Sequence, residues 1–174
     1  MIQNYCCALK INPICFHSMD IIFKKGTTKN TITCTRSDGT STWQEAEPFH
    51  ILHDLTHYAV ETTLGTQQGF YGLLQQGLDI TDFEKKQKIT PQTLPREAIR
   101  TEILVTLFLT EINDHQPLAD FNQTFAETIR PYGIDIIPLD QNLLTTIRMM
   151  RDNLIKKWKN LSSGSTLALR YPAN

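Results

Sequence analysis

Residues 19 to 43 contain three short segments in which apolar and polar side chains alternate. These segments are residues 20–24, 31–36 and 40–43, and the turn-forming residues Gly26 and Asp38-Gly39 separate them. Alternation with a period of two is typical of a β-strand with one buried face, and Asp-Gly is a favoured hairpin turn. The pattern predicts an antiparallel β-meander.

Helical periodicity replaces this alternation from Pro48, a residue suited to the first turn of a helix. We predict helices over residues 48–64, 69–77, 96–113, 117–130 and 140–161, and a surface loop over residues 79–95. The helix over 96–113 is apolar nearly all round and should be the central buried helix. The last segment, 165–171, alternates again and should return as a strand to the meander. The predicted class is α+β, with the N-terminal meander and a C-terminal strand packed on a layer of about four to five helices.

The chain of 174 residues has the length and composition of one ordinary domain. It is 40% hydrophobic and 20% charged, so it can bury a core without disulfides or a structural metal. Residues 1–18 show no clear period, whereas the meander begins at Met19. We therefore expect an N-terminal extension over residues 1–18 and a single domain over residues 19–174.

Charge and cysteine content exclude several classes of function. The net charge of -1 offers no basic face, which argues against a nucleic-acid partner. The four cysteines form no CxxC pair, so neither a zinc knuckle nor a disulfide framework is predicted. No signal peptide and no run near the roughly 20 apolar residues of a membrane span can be found. These absences favour a cytoplasmic protein with no membrane partner.

Three of the five histidines fall within residues 50–57, on one predicted helix. His53, His57 and Glu61 are spaced four residues apart and therefore stack along one side, which His50 shares. Apolar residues occupy the opposite side. Histidine is a poor helix former and an uncommon choice for a solvated helix face. The spacing therefore predicts a divalent metal site, with Zn²⁺ as the expected ion.

Two histidines need a further ligand, and Glu102 is the best candidate in the chain. It lies inside an otherwise apolar helix, where a charge needs a partner. Imidazoles at positions i and i+4 can converge on an ion about 2.0 to 2.1 Å from each nitrogen. Two alternatives remain at this stage: a catalytic histidine that uses no metal, and a solvated or hydrogen-bonded histidine face on a non-enzymatic interaction or sensing module.

The segment His53-Asp54-Leu55-Thr56-His57 resembles the HExxH motif of zincin metallopeptidases. This resemblance implies that His53 and His57 bind zinc and that Asp54 is the catalytic base. Asp54 is one methylene shorter than the glutamate of the motif. The expected activity is therefore metal-dependent hydrolysis of an unidentified small molecule or peptide, with weak activity on activated esters favoured over efficient peptide cleavage.

Two further resemblances concern the same helix. The pattern HDxxHxxVE from His53 to Glu61, followed by Gly69-Phe70-Tyr71-Gly72, is similar to a group of uncharacterised small bacterial proteins and implies no activity. The His53-Asp54 doublet also resembles that of HD-type phosphohydrolases, which are all-helical and need another histidine and aspartate. His17 and Asp114 could supply these, but the strand-rich segment between His17 and His53 argues against that family.

Overall fold

A four-stranded antiparallel sheet forms one layer of the protein. The computed structural model describes residues 18–84 and 94–172. Its strands are β1 (Met19–Lys24), β2 (Asn30–Thr35), β3 (Ser41–Ala46) and β4 (Thr166–Tyr171), in the order β3-β2-β1-β4. The predicted meander and the return of the last strand are confirmed, with β4 antiparallel to β1.

The alternation that predicted the sheet also decides which of its faces is buried. Met19, Ile21 and Phe23 of β1 are fully buried, as are Ile32 and Cys34 of β2. Their neighbours in sequence lie on the outer face. The strand β3 continues to Ala46, three residues beyond the predicted end, and pairs along its whole length with β2.

Six α-helices are present among the described residues. They are α1 (Pro48–Leu64), α2 (Phe70–Gln75), α3 (Ile80–Glu84), α4 (Arg96–Asn113), α5 (Phe121–Ile129) and α6 (Gln141–Asn160), with a short 3-10 helix at Arg130–Tyr132. The fold is therefore α+β. The loop predicted over residues 79–95 is wrong at its start, where α3 forms, and residues 85–93 of it lie outside the described part of the chain.

The central helix of the fold is α1. It contacts α2, α4, α6 and the strands β2 and β3. Ile51 and Leu55 pack into the core beneath the sheet, whereas Ala59 and Val60 pack into a second core among the helices. We predicted the central position for α4, and this prediction is wrong: α4 packs mainly on α1 and α5, and two residues in its middle, Glu102 and Thr106, are exposed.

A buried ion cluster joins α4 to α6. Glu111 accepts two hydrogen bonds from Arg148, at 3.0 and 2.6 Å, and one from Arg151 at 3.2 Å. Arg151 also donates to the carbonyl oxygen of Phe108. Since the Glu111 side chain is almost completely buried, its charge depends on these partners.

The predicted boundary at residue 18 stays a prediction, because residues 1–17 lie outside the described residues. Ser18, the first described residue, accepts hydrogen bonds from Arg170 of β4. Among the described helices, none combines the length and the apolar character that crossing a membrane would require.

Candidate metal centre

Both sides of helix α1 face the rest of the protein, the side that carries the histidines as well as the apolar side. Pro48 stands in its first turn, and Gly65 ends it in the left-handed conformation with φ 64°. The helix has seventeen residues, among them His53, His57 and Glu61, which are separated by about one turn each. The short helix α2 and the helix α4 cover this side of α1.

His53, His57 and Glu102 converge in the space between α1 and α4. Nε2 of His53 lies 3.2 Å from Oε1 of Glu102, and Nε2 of His57 lies 3.1 Å from Oε2 of the same carboxylate. The two imidazole rings are 4.6 Å apart between centroids. One candidate ligand atom from each of the three residues lies within 4.8 Å of the others. The structure thus brings together the two histidines and the carboxylate from the second helix that the sequence suggested.

The other ring nitrogen of each histidine faces a carboxylate of α1. Nδ1 of His57 lies 2.9 Å from Oε1 of Glu61, and Nδ1 of His53 lies 3.4 Å from Oδ1 of Asp54. Such contacts fix the ring orientation and leave Nε2 as the free ligand atom. Glu61 and Asp54 therefore stand behind the rings, away from the point where the Nε2 atoms and Glu102 meet.

Glu61 is held more firmly than any other carboxylate of the site. Its side chain is fully buried, and it accepts hydrogen bonds from the backbone N–H groups of Tyr71 at 3.0 Å and Gly72 at 3.3 Å. The Tyr171 hydroxyl lies 3.2 Å from Oε2 and donates to the carbonyl oxygen of Thr66 at 2.7 Å. The start of α2 thus holds the group that orients His57, and the end of β4 lies against it.

Gly69, one residue before α2, is required for the position of Glu61. Its φ of -78° is open to any residue, so its backbone conformation does not demand glycine. A Cβ atom at this position would lie 2.5 Å from both Cδ and Oε2 of Glu61. Glycine is needed here because the Glu61 carboxylate occupies the space of a side chain.

Exposure rises steadily from the inner to the outer side of the site. The exposed fraction of the side chain is 0% for Glu61, 3% for His57, 25% for His53 and 56% for Glu102. One side of the cluster is therefore anchored in the core and the other opens towards solvent.

The carboxylates raise the pKa of both histidines. Burial alone would lower the pKa of His57, but its bonds to Glu102 and Glu61, together with the charges of these groups, raise it to about 10. Burial also opposes the change at His53, whose pKa is raised by its bonds to Asp54 and Glu102. Burial would raise the pKa of Glu102, yet the two histidine bonds hold it well below its usual range. A divalent cation at this point would replace the two imidazole protons without changing the net charge of the cluster.

Asp54 is buried, with an exposed side-chain fraction of 8%, and it lies on the Nδ1 side of His53. Its second oxygen, Oδ2, is buried and has no hydrogen-bond partner among the described residues. A carboxylate in this position can orient His53, but it stands on the other side of the ring from the Nε2 atom.

A cavity of about 440 Å³ opens beside the cluster. Its wall includes the rings of Phe70 and Phe83, whose centroids lie 5.0 Å apart, and the centroid of the Phe70 ring lies 5.4 Å from that of His57. Most of the other lining residues come from β3, α1, α3 and α4. These other lining residues are Lys29, Gln44, Glu45, Ala46, Glu47, His50, His53, Asp54, His57, Ile80 and Glu102. The histidine cluster therefore faces a space large enough for a small molecule.

Three other residues that the sequence analysis named, His50, Asp114 and His17, do not belong to the three-residue cluster. His50 is exposed and lines the cavity outside the three-residue cluster. Asp114 caps the end of α4, twelve residues beyond Glu102, which is about 18 Å along the helix axis. His17 lies outside the described residues. The HD-type arrangement is therefore not assembled by the described residues, and the sheet departs from the all-helical fold of that family.

Sequence reasoning missed the residues that support the site from other elements. Gln44 and Glu45 of β3, Phe70 of α2 and Phe83 of α3 all line the cavity, yet they carry no local pattern that marks them. The Gly69-Phe70-Tyr71-Gly72 segment was recognisable as a glycine-bounded piece, but its hydrogen bonds to Glu61 follow from tertiary contact alone.

Comparison with known proteins gave no match to a protein-family model, to a curated protein or to a solved structure. Function is therefore argued from the site.

Proposed function

We propose that the protein binds a divalent metal ion, with Zn²⁺ the expected ion, through His53, His57 and Glu102, and that it is a metal-dependent hydrolase. The observation that carries this proposal is the convergence of two Nε2 atoms on one carboxylate, at 3.2 and 3.1 Å. Two imidazoles and one carboxylate form a donor set that catalytic zinc sites use.

The spacing of the donor atoms suits a single ion. Ligands about 2.0 to 2.1 Å from a tetrahedral zinc are separated from one another by about 3.3 Å. The nitrogen-to-oxygen distances in the cluster differ from this value by only a few tenths of an ångström. All three candidate ligand atoms lie within 4.8 Å of one another, so side-chain rotations can bring the remaining pair towards this spacing.

Three protein ligands leave the fourth position of a tetrahedral ion open, and the cavity lies beside the cluster. An open position is characteristic of catalytic rather than structural zinc sites. A zinc ion in such a site activates water for attack on an ester or amide carbonyl carbon. Glu61 would hold the His57 ring in place for this, whereas the contact of Asp54 with His53, at 3.4 Å, is too long to hold that ring as firmly.

The competing explanation is a hydrogen-bonded network of charged histidines that binds no metal. A fully solvated histidine face does not describe His57, which is buried, but an internal ion-pair network would use the same contacts. The two explanations differ in one measurable property, the stoichiometric binding of metal.

The first experiment is metal analysis of untagged protein, combined with titration of metal-free protein by Zn²⁺ and Co²⁺. We expect one ion per chain, with tight binding lost in His57→Ala and Glu102→Gln. His50→Ala is the matched control, because it removes a histidine from the same helix and cavity but not from the cluster. Absence of stoichiometric binding by wild-type protein would favour the ion-pair network and refute the metal site.

The second experiment measures hydrolysis of 4-nitrophenyl acetate by the zinc-loaded protein. We expect activity that disappears with a chelator, returns with Zn²⁺, and is absent from His57→Ala. Asp54→Asn should retain most of the activity, whereas a general base would cost roughly 10²-fold or more. Binding of iron in place of zinc, without hydrolysis, would support the metal site but refute the proposed hydrolase activity. Iron(II) oxygenases use the same donor set.

A further inference from the structure

We propose that a second cavity, between the end of α4 and α6, binds a small phosphate monoester, with the guanidinium group of Arg151 as its main hydrogen-bond donor. This cavity has a volume of about 540 Å³, which is in the range of small-molecule sites. It shares no described lining residue with the cavity beside the histidine cluster, so the inference does not depend on the proposed function.

The buried ion cluster leaves one terminal nitrogen of each arginine unused. Arg151 donates from Nε to Asp152 and from Nη1 to Glu111 and to the carbonyl oxygen of Phe108. Arg148 donates from Nε and Nη2 to Glu111. Nη2 of Arg151 and Nη1 of Arg148 therefore have no hydrogen-bond partner among the described residues. Each carries two N–H groups and cannot accept a bond, so the pair is suited to an acceptor.

Nη2 of Arg151 can be reached from this cavity. Among the described residues, the polar side-chain atoms that are both buried and without a partner belong to other residues, so Nη2 has accessible surface. The Arg151 side chain is only 7% exposed, and the residue lines this cavity, so its unused donor opens there. The Phe108 ring, whose centroid lies 5.8 Å from the guanidinium carbon, and the bond to Glu111 hold the group in place.

The charge of the cavity lining favours an anion with two charges. The described lining contains four cationic side chains and two carboxylates, namely Arg148, Arg151, Lys156 and Lys159 against Glu111 and Asp152. Neither lysine forms an ion pair with another residue that the structure describes. The lining thus has an excess of two positive charges, in a chain whose net charge is -1. Such a local excess attracts anions.

Lysines near the end of a helix often only complement the helix dipole. At the end of α6 another lysine already has this role, because Lys25 donates to the carbonyl oxygens of Trp158 and Lys159, at 3.2 and 3.1 Å. The side chains of Lys156 and Lys159 are therefore not needed at the helix terminus. A phosphate group in the cavity would give them a partner.

The form of the donors and the rest of the lining favour a phosphate ester. A planar guanidinium group matches the spacing of phosphate oxygens and binds them more specifically than an ammonium group does. The cavity wall also includes apolar side chains, those of Ile112, Pro117 and Ile155. These can contact the carbon skeleton of an ester, which should therefore bind more tightly than free phosphate.

The test titrates the full chain with phenyl phosphate, inorganic phosphate and benzoate and follows the amide signals by NMR. Metal is left out, because Zn²⁺ would itself bind phosphate. Phenyl phosphate should bind most tightly and shift the signals of residues 111–117 and 148–160. Arg151→Lys keeps the charge but removes Nη2, so its affinity for phenyl phosphate should fall roughly 10- to 100-fold, the loss expected for a charged hydrogen bond.

A second variant avoids the buried ion cluster. Lys156→Gln combined with Lys159→Gln changes two exposed residues, and it should weaken phenyl phosphate binding roughly 4- to 20-fold. Lys157→Gln is the matched control, because Lys157 is an exposed lysine of the same helix turn that is not part of the described lining. It should change the affinity by less than about twofold.

Four outcomes would overturn the proposal: benzoate binding as tight as that of phenyl phosphate, unchanged affinity in a folded Arg151→Lys variant, equal losses in the double variant and in Lys157→Gln, or shifts confined to other parts of the chain. Equal affinities for inorganic phosphate and phenyl phosphate would refute an ester as the ligand. The same spectra show whether each variant is folded.

Discussion

Replacing Glu61 by Gln should disable the proposed metal site without removing any of its proposed ligands. The substitution keeps the shape of the side chain and changes only what its two end atoms can donate or accept. Oε2 receives the N–H groups of Tyr71 and Gly72, so the amide oxygen of the glutamine must take this position. The amide nitrogen then stands where Oε1 now lies, 2.9 Å from Nδ1 of His57.

An amide N–H donated to Nδ1 changes the tautomer of His57. Nδ1 becomes an acceptor, and the ring proton moves to Nε2, the atom that faces Glu102. A protonated Nε2 cannot bind an ion. The reverse orientation of the amide would avoid this, but it would point an N–H group at the N–H donors of Tyr71 and Gly72.

The expected loss of metal affinity is roughly 10- to 100-fold, as for other groups that orient a metal-bound histidine, and this equals about 1.4 to 2.7 kcal/mol. The metal-free protein should also lose about 1.5 to 3 kcal/mol of unfolding free energy, because a hydrogen bond with a charged partner is removed from a fully buried position.

The assay is a competition titration of Zn²⁺ against a chromophoric chelator, with the visible spectrum of the Co²⁺ form as a report on coordination. Glu97→Gln is the matched control, because Glu97 also accepts two backbone N–H groups, those of Gln67 and Gln68, but contacts no histidine of the site. Wild-type affinity in a folded Glu61→Gln variant would refute the orienting role of Glu61.

Three other outcomes follow from the described contacts. Gly69→Ala should displace Glu61 and weaken Zn²⁺ binding in the competition titration. Gly77→Ala has open space around it but is strained by its φ of 110°, so it should destabilise the fold by about 1 to 3 kcal/mol and leave Zn²⁺ binding unchanged. Equal Zn²⁺ affinities of the two variants would contradict this. Burial would raise the pKa of Glu111, but its hydrogen bonds with Arg148 lower that pKa. The stabilising contribution of the Glu111 carboxylate is therefore complete above the ordinary pKa of 4.5 and is lost as the pH falls below it. Urea unfolding should therefore show Glu111→Gln about 3 to 5 kcal/mol less stable than wild type at pH 7, with a smaller gap in acid; a constant gap would refute the argument. Deleting residues 1–18 should preserve a cooperative thermal transition by calorimetry, and its loss would disprove the predicted domain boundary.

The sequence alone determined the elements whose signals are local. Alternation in residues 19–43 and 165–171 predicted the strands because each strand buries one face, and the period of two records this directly. Pro48 marked the start of α1 because it acts through the backbone of its own turn. The spacing of His53 and His57 predicted a shared side of that helix for the same reason.

Glu102 was accessible to sequence reasoning through a different signal. A charge within an apolar stretch needs a partner, and the two histidines were the unpaired polar groups of the chain that could supply one. The structure places the Glu102 carboxylate beside both histidines, although 56% of its side chain is exposed. The distance between Glu102 and the histidines, however, was decided by the packing of α1 on α4.

Only the tertiary structure decided what surrounds the three convergent residues. Glu61 shares the helical spacing of the histidines, and the sequence could not distinguish a ligand from a group that orients one. That difference depends on Tyr71 and Gly72, whose N–H groups hold the carboxylate at Nδ1 of His57. The cavity lining likewise comes from strands and helices far apart in the chain. Periodicity reports the environment of one element, whereas these contacts arise where separate elements meet, so no local pattern encodes them.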